Sequence, residues 1–129
     1  MYLLDTDICS YIMKRTHPRL ITRIRGVPLA KRAMLVVTLA ELLFGAAHNP
    51  ASRAAVDDFV RNLEVLELTT AVAEHYADIR AALERAGRLI GANALFIAAH
   101  ARALNATLVT NNVREFGRVA GLRCENWTT

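Results

Sequence analysis

Residues Gly87–Asn112, GRLIGANALFIAAHARALNATLVTNN, decide the fold. Gly91 supplies a turn and Asn93 a helix cap. An apolar helix then runs from Ala94 toward TLVT (Thr107–Thr110), which has the composition of a buried strand. A helix that feeds such a strand is half of a β–α–β unit, and the rest of the chain repeats the alternation. Tyr2–Leu4 (YLL), Met34–Val37 (MLVV), Val65–Leu68 (VLEL) and the late run LRCEN are further short strands. Between them lie the helical stretches TDICSYIMKR, HPRLITRIRG, TLAELLFGAAHN, ASRAAVDDFVRNLE and TAVAEHYADIRAALERAG, with a helical turn at VREFGRV. The longest carries an apolar stripe through Val72, Tyr76, Ile79 and Leu83 and stops at Gly87. The pattern predicts an α/β fold with a central parallel sheet covered on both faces. In such sheets ligands bind outside the carboxyl ends of the strands.

Composition narrows the class. A chain of 129 residues, 53% hydrophobic and 22% charged, suits one globular domain over residues 1–129 with a real core. Cys9 and Cys124 lack zinc-ligand spacing and fit a reduced, cytoplasmic protein. No run is long enough for a membrane span, and the start MYLLDTDICSYIMK carries two acids, unlike a signal peptide. The net charge of +4 comes mostly from arginine, with Lys14 and Lys31 the only lysines, and it favours the approach of a nucleic acid.

Polar residues follow three of the strands. Asp5 and Asp7 follow the first, Glu41 stands three residues past Thr38 after the second, and Asn112 with Glu115 follows the fourth. A parallel sheet brings all of these to one edge. Clustered carboxylates repel one another, so gathering them points to a hard cation such as magnesium or manganese, which activates water against a phosphodiester. Each acid also has a structural explanation. Thr38–Glu41 and Asn112–Glu115 have capping-box spacing, and Asp7 suits the cap of the first helix. Asp5, directly after a buried strand, costs free energy unless partnered. His100 fits a hydrogen-bonded core histidine. His17, His48 and His75 have no zinc pairing, and no phosphate loop or nucleophile elbow is present.

The order LLDTDICSYIMK, TLAELLFGA and IGANALFIAAHARALNATLVTNNVREFGRVAGLRCENW resembles the VapC toxins, PIN-domain ribonucleases of bacterial toxin–antitoxin modules. The resemblance spans nearly the whole chain and is most specific in its last third. It implies a three-layer α/β/α domain and a magnesium- or manganese-dependent endoribonuclease. It implies Asp5 as the first acid and metal ligand, Glu41 as the second acid, Asn112 as a ligand through water, and Glu115 as the acid of the EF element. Asp7 falls where many relatives have asparagine and is supporting.

One position departs from the family. Similar members have aspartate, taken as a direct metal ligand, where this chain has Ala94, yet the neighbours Gly91, Asn93, Ile97 and AAHA are kept. This favours a single substitution in an otherwise intact toxin, made to permit expression of a lethal enzyme. A naturally inactive relative is the alternative.

The resemblance further implies structured RNA as substrate, with initiator tRNA the leading case. Arg80, Arg85, Arg88 and Arg114 could contact its phosphates near the site, although solvated helix faces carry such arginines routinely. It implies a VapB-type antitoxin that blocks the site and carries the complex to operator DNA. Ile8, Tyr11, Ile12, Leu20, Ile21 and Ile24 offer a groove for that partner, unless they pack into the domain's own core. A homodimer through Met34, or through the helix near Ala55 and Phe59, is also expected. The rival classes are an inert PIN-like module binding antitoxin or RNA, and a flap-type DNA nuclease.

Overall fold

Leu3 and Leu4 are adjacent and both buried, yet they join different cores, because successive strand residues point to opposite faces. The computed structural model describes residues 1–129. Five parallel strands form one sheet: β1 (Tyr2–Leu4), β2 (Arg32–Leu35), β3 (Glu64–Leu66), β4 (Thr107–Val109) and β5 (Arg123–Glu125), in the order β3-β2-β1-β4-β5. Leu4 is in register with Val109, so the chain leaves β1 and β4 side by side at their carboxyl ends.

The helices are α1 (Thr6–Lys14), α2 (Pro18–Arg25), α3 (Val36–Gly45), α4 (Pro50–Val60), α5 (Thr70–Arg85), α6 (Ala92–Ala103) and α7 (Val113–Phe116). One face of the sheet packs Leu4, Met34 and Val109 against Ile8 and Cys9 of α1, Leu20 and Ile24 of α2, and Val56 of α4. The other packs Leu3, Leu35 and Leu108 against Val72, Ile79 and Leu83 of α5, and against Leu95, Ile97 and Ala98 of α6. Each fully buried aliphatic side chain of this kind contributes roughly 1.5–3 kcal/mol. This is the three-layer α/β/α arrangement read from the sequence. No helix is long and apolar enough to cross a membrane.

Several boundaries differ from the sequence reading. β2 ends at Leu35 rather than Val37, and α3 begins at Val36 with no intervening loop. An apolar run that crosses a strand–helix junction has no periodic signal to mark it. Thr38 therefore lies inside α3, fully buried with its Oγ1 unpartnered, and the Thr38–Glu41 capping box does not form. Asp5, not Asp7, caps α1 by accepting from the Thr6 N–H. Helix α6 starts at Ala92 behind Gly91, which makes Ala94 its third residue and puts Asn93 inside the helix. Gly91 has ordinary extended geometry, and a Cβ there would meet nothing. β3 is Glu64–Leu66 rather than Val65–Leu68. His100 is buried, as expected, but its Nδ1 has no hydrogen-bond partner, and burial lowers its pKa.

The proposed partner groove is also corrected. Ile8, Leu20 and Ile24 are buried in the chain's own core, leaving Tyr11, Ile12 and Ile21 half-exposed. Only Leu20 and Ile24 of the α2 stripe join the core under this face of the sheet. Met34 is fully buried and cannot meet a second copy.

Candidate active site

The strand order turns back between β1 and β4, since the chain proceeds from β1 to β2 on one side and reaches β4 on the other. This is the switch point at which α/β sheets bind ligands. Asp5 follows β1 there, and Thr110 and Asn112 follow β4. A shallow cleft of about 160 Å³ opens over the junction, lined by Asp5, Thr6, Asp7, Glu41, Ala94, Ile97, Asn112, Glu115 and Phe116. All five candidate positions, Asp5, Glu41, Ala94, Asn112 and Glu115, therefore meet in one place.

Asp5, Glu41 and Glu115 are each held by hydrogen bonds. The Asp5 carboxylate is 9% exposed and accepts from the Thr6 N–H at 2.9 Å and from the Thr110 hydroxyl at 2.8 Å. Thr110 itself is fully buried, and its Oγ1 accepts from the Asn112 N–H at 3.0 Å, so the hydroxyl proton is committed to Asp5. Desolvation raises the Asp5 pKa, the two hydrogen bonds pull it down, and the nearby Asp7 and Glu41 charges push it up again. Glu41, the sixth residue of α3, accepts from the Thr6 hydroxyl at 2.6 Å. Thr6 thus donates to two carboxylates, its N–H to Asp5 and its hydroxyl to Glu41.

Glu115 accepts from the Asn112 side-chain amide and from the Gly91 N–H at 3.4 Å. The second contact sets its charge at the amino end of α6, where the helix dipole favours an anion. Asn112 stands at the cap position of α7, but its side chain makes no cap bond and donates to Glu115 instead. Asp7 is exposed in the first turn of α1.

Thr6 and Thr110 were not singled out from the sequence. Their hint was slight: a threonine after the first acid, and one closing the fourth strand. Arg80 bonds Glu84 and the Tyr76 hydroxyl, whereas Arg85, Arg88 and Arg114 are exposed.

A divalent cation needs several donors that close on one point. No three carboxylates, imidazoles or thiols stand close enough here to do so. Ala94 is half-buried in the cleft and offers only a methyl group. The residues present do not complete a metal centre.

The PIN domain family matches residues 2–122. Ribonuclease VapC2 of Haemophilus influenzae is 40% identical over 98% of this chain and 97% of its own. The tRNA(fMet)-specific endonuclease VapC of Shigella flexneri is 38% identical over 98% of each chain. Among solved structures, VapBC2 from Rickettsia felis bound to a fragment of its promoter superposes with a TM-score of 0.89 at 34% identity, covering 98% of each chain. DNA-bound VapBC from Salmonella typhimurium superposes with a TM-score of 0.90 at 36% identity, over 98% of this chain and 97% of that one. With the parallel sheet, the acids at its switch point and these whole-length similarities in hand, the chain belongs to the PIN-domain family and, within it, to the VapC ribonucleases.

Proposed function

We propose that this chain is the toxin of a type II toxin–antitoxin module, built as a magnesium-dependent endoribonuclease and disabled by the alanine at position 94. One observation carries the reading. Four carboxylates line the cleft, none is ion-paired to an arginine or lysine, and an alanine stands among them. Acids left without cations in a basic chain fit a site that supplies its own cation.

PIN-domain ribonucleases depend on divalent metal, which polarises a phosphate oxygen and lowers the pKa of attacking water. Asp5, fixed by two donors, is the principal ligand present in this chain. With an ion bound, Asn112 would act through water, Glu41 and Glu115 would orient the surrounding waters, and Asp7 would support the rim. With Ala94 the donor set stays open, so this chain binds the ion weakly and turns over little RNA. The substrate is tRNA, following the Shigella relative's name, and the partner is a VapB-type antitoxin, following the solved VapBC complexes. Operator DNA is bound through the antitoxin, and the toxin pairs as a homodimer or with its antitoxin. One domain, residues 1–129, does this work in the cytoplasm.

Ala94→Asp under controlled expression tests the proposal. The expected outcome is growth arrest with discrete tRNA cleavage, both abolished again by Asp5→Ala. If Ala94→Asp cuts no RNA and gains no Mn2+ binding by calorimetry, the disabled-enzyme reading fails and the inert binding module replaces it. Cutting of flap DNA but not RNA makes the protein a DNA nuclease.

A further inference from the structure

A second hollow, about 440 Å³ in volume, lies between α1, α3 and α4 and shares two walls, Thr6 and Glu41, with the acidic cleft. Its size falls in the range of small-ligand sites. Along α1 the residues Thr6, Ser10 and Lys14 follow at intervals of four, so two hydroxyls and an ammonium group succeed one another down one face of the helix. The line starts at the cleft and runs about 12 Å at the rise of an α-helix. Met13 and Val56 give the hollow apolar walls, and Ser52 faces the line from α4. Lys14 makes no ion pair.

We propose that this hollow is a subsite for one unpaired nucleotide of the RNA strand, next to the nucleotide whose phosphate enters the cleft. The inference rests on the ribonuclease reading above. A strand that passes the mouth of the cleft has an open path into the hollow across Thr6 and Glu41. A nucleobase has apolar faces and polar edges, which matches a lining of aliphatic walls and serine hydroxyls. The next phosphate then reaches Lys14 at the far end, which is the charge complement that an RNA strand needs. A partner helix fits less well. Only five of the 11 lining residues are hydrophobic, so an apolar helix face would bury hydroxyls and an ammonium group without partners.

The test is binding of a fluorescent single-stranded RNA hexamer to the full chain, read by anisotropy and independent of turnover. Ala55 is exposed and lines the hollow, so Ala55→Trp fills it without disturbing the core. It weakens binding by about tenfold, the scale of one lost base contact. Lys14→Gln reduces the salt slope by about one, as expected for one phosphate contact. Ala81→Trp, exposed on α5 across the sheet, changes neither. Unchanged hexamer affinity in both Ala55→Trp and Lys14→Gln overturns the subsite. So does a result in which Ala55→Trp keeps RNA affinity but loses the antitoxin, since the hollow would then seat a protein. If Ala94→Asp cuts no RNA while the hexamer pattern holds, the nuclease reading fails and the RNA subsite stands.

Discussion

Two acidic corners of this molecule are built in opposite ways. Beside β5, Glu125 accepts from Arg23 at 3.0 Å and from the Trp127 indole N–H at 3.0 Å, and the guanidinium lies 4.7 Å from the centre of the Trp127 ring. Asp57, Asp58, Asp78 and Glu84 likewise each meet an arginine. In the cleft, Asp5, Asp7, Glu41 and Glu115 meet only hydroxyls, amides or solvent, although the chain carries 16 lysines and arginines. Neutralisation is therefore uneven: five of the eight acids outside the cleft meet an arginine, with Glu64, Glu67 and Glu74 the exceptions, whereas none of the four at the switch point does. A cleft kept this way holds unspent negative potential, which a bound cation or a substituted side chain can claim.

Position 94 breaks or sharpens this contrast most strongly. Ala94→Asp adds a donor to the set, and we expect Mn2+ affinity to rise by more than the 10–100-fold that even an outer-sphere partner controls. The same variant without metal adds one more like charge and melts lower than the parent chain, and millimolar Mg2+ reverses the order. Ala94→Arg should do the reverse. It supplies the cleft with the cation the other corner already has, raises the melting temperature by a few degrees and abolishes metal binding. Differential scanning calorimetry with and without metal checks both. Equal melting of the two variants in the absence of metal would mean that the acids feel no mutual repulsion.

How much of this was legible in the sequence follows from where each signal resides. The acids were legible because each closely follows a strand, and a parallel sheet has only one carboxyl edge. The position of Ala94 was legible in the same way, since the helix that carries it brings it to the cleft. The capping box that offers Glu41 a structural alternative does not form, since α3 starts at Val36 and carries Glu41 beyond the first turn. That shift leaves its carboxylate free for the Thr6 hydroxyl. The roles of Thr6 and Thr110 were hidden because their partners depend on the lateral register of β1 against β4, where Leu4 pairs with Val109. No local pattern encodes that register. The α2 stripe shows an apolar face but not what covers it: Leu20 and Ile24 go into the chain's own core, whereas Ile21 stays half-exposed.

Thr110→Val comes next in size. It keeps the shape of the buried side chain and removes the donor to Asp5, together with the acceptor for the Asn112 N–H. Leaving a buried polar group unpaired costs about 1–3 kcal/mol. Chemical denaturation should show that loss, and Thr110→Ser should restore most of it. A loss matched by Thr110→Ser would assign the effect to the missing methyl group and not to the hydroxyl. Arg23→Ala probes the other corner, removing an exposed ion pair and a cation–ring contact that together contribute about 1 kcal/mol. Raising the salt concentration should shrink the difference between that variant and the parent.

The smallest expected effect is the pH dependence that Asp5 imposes. Burial raises its folded-state pKa above the ordinary value of 3.8. As pH rises past 3.8, the unfolded chain gives up this proton first, so the folded state binds more protons and stability falls with pH. The contribution is fully present below 3.8, is lost as pH rises through the raised folded-state pKa, and stays constant above it. Asp5→Asn removes the titration while keeping the shape, with its carbonyl free to accept from the Thr6 N–H and its amide able to donate to the Thr110 oxygen. The melting temperature of Asp5→Asn relative to the parent chain should therefore climb across that window and level off by neutral pH. The arginine-paired Glu125, replaced by glutamine, should not gain stability in this way, because its charge already has a cation. A difference between Asp5→Asn and the parent that stays flat from pH 3 to 7 would show that the two threonine donors fully offset the cost of burying the charge.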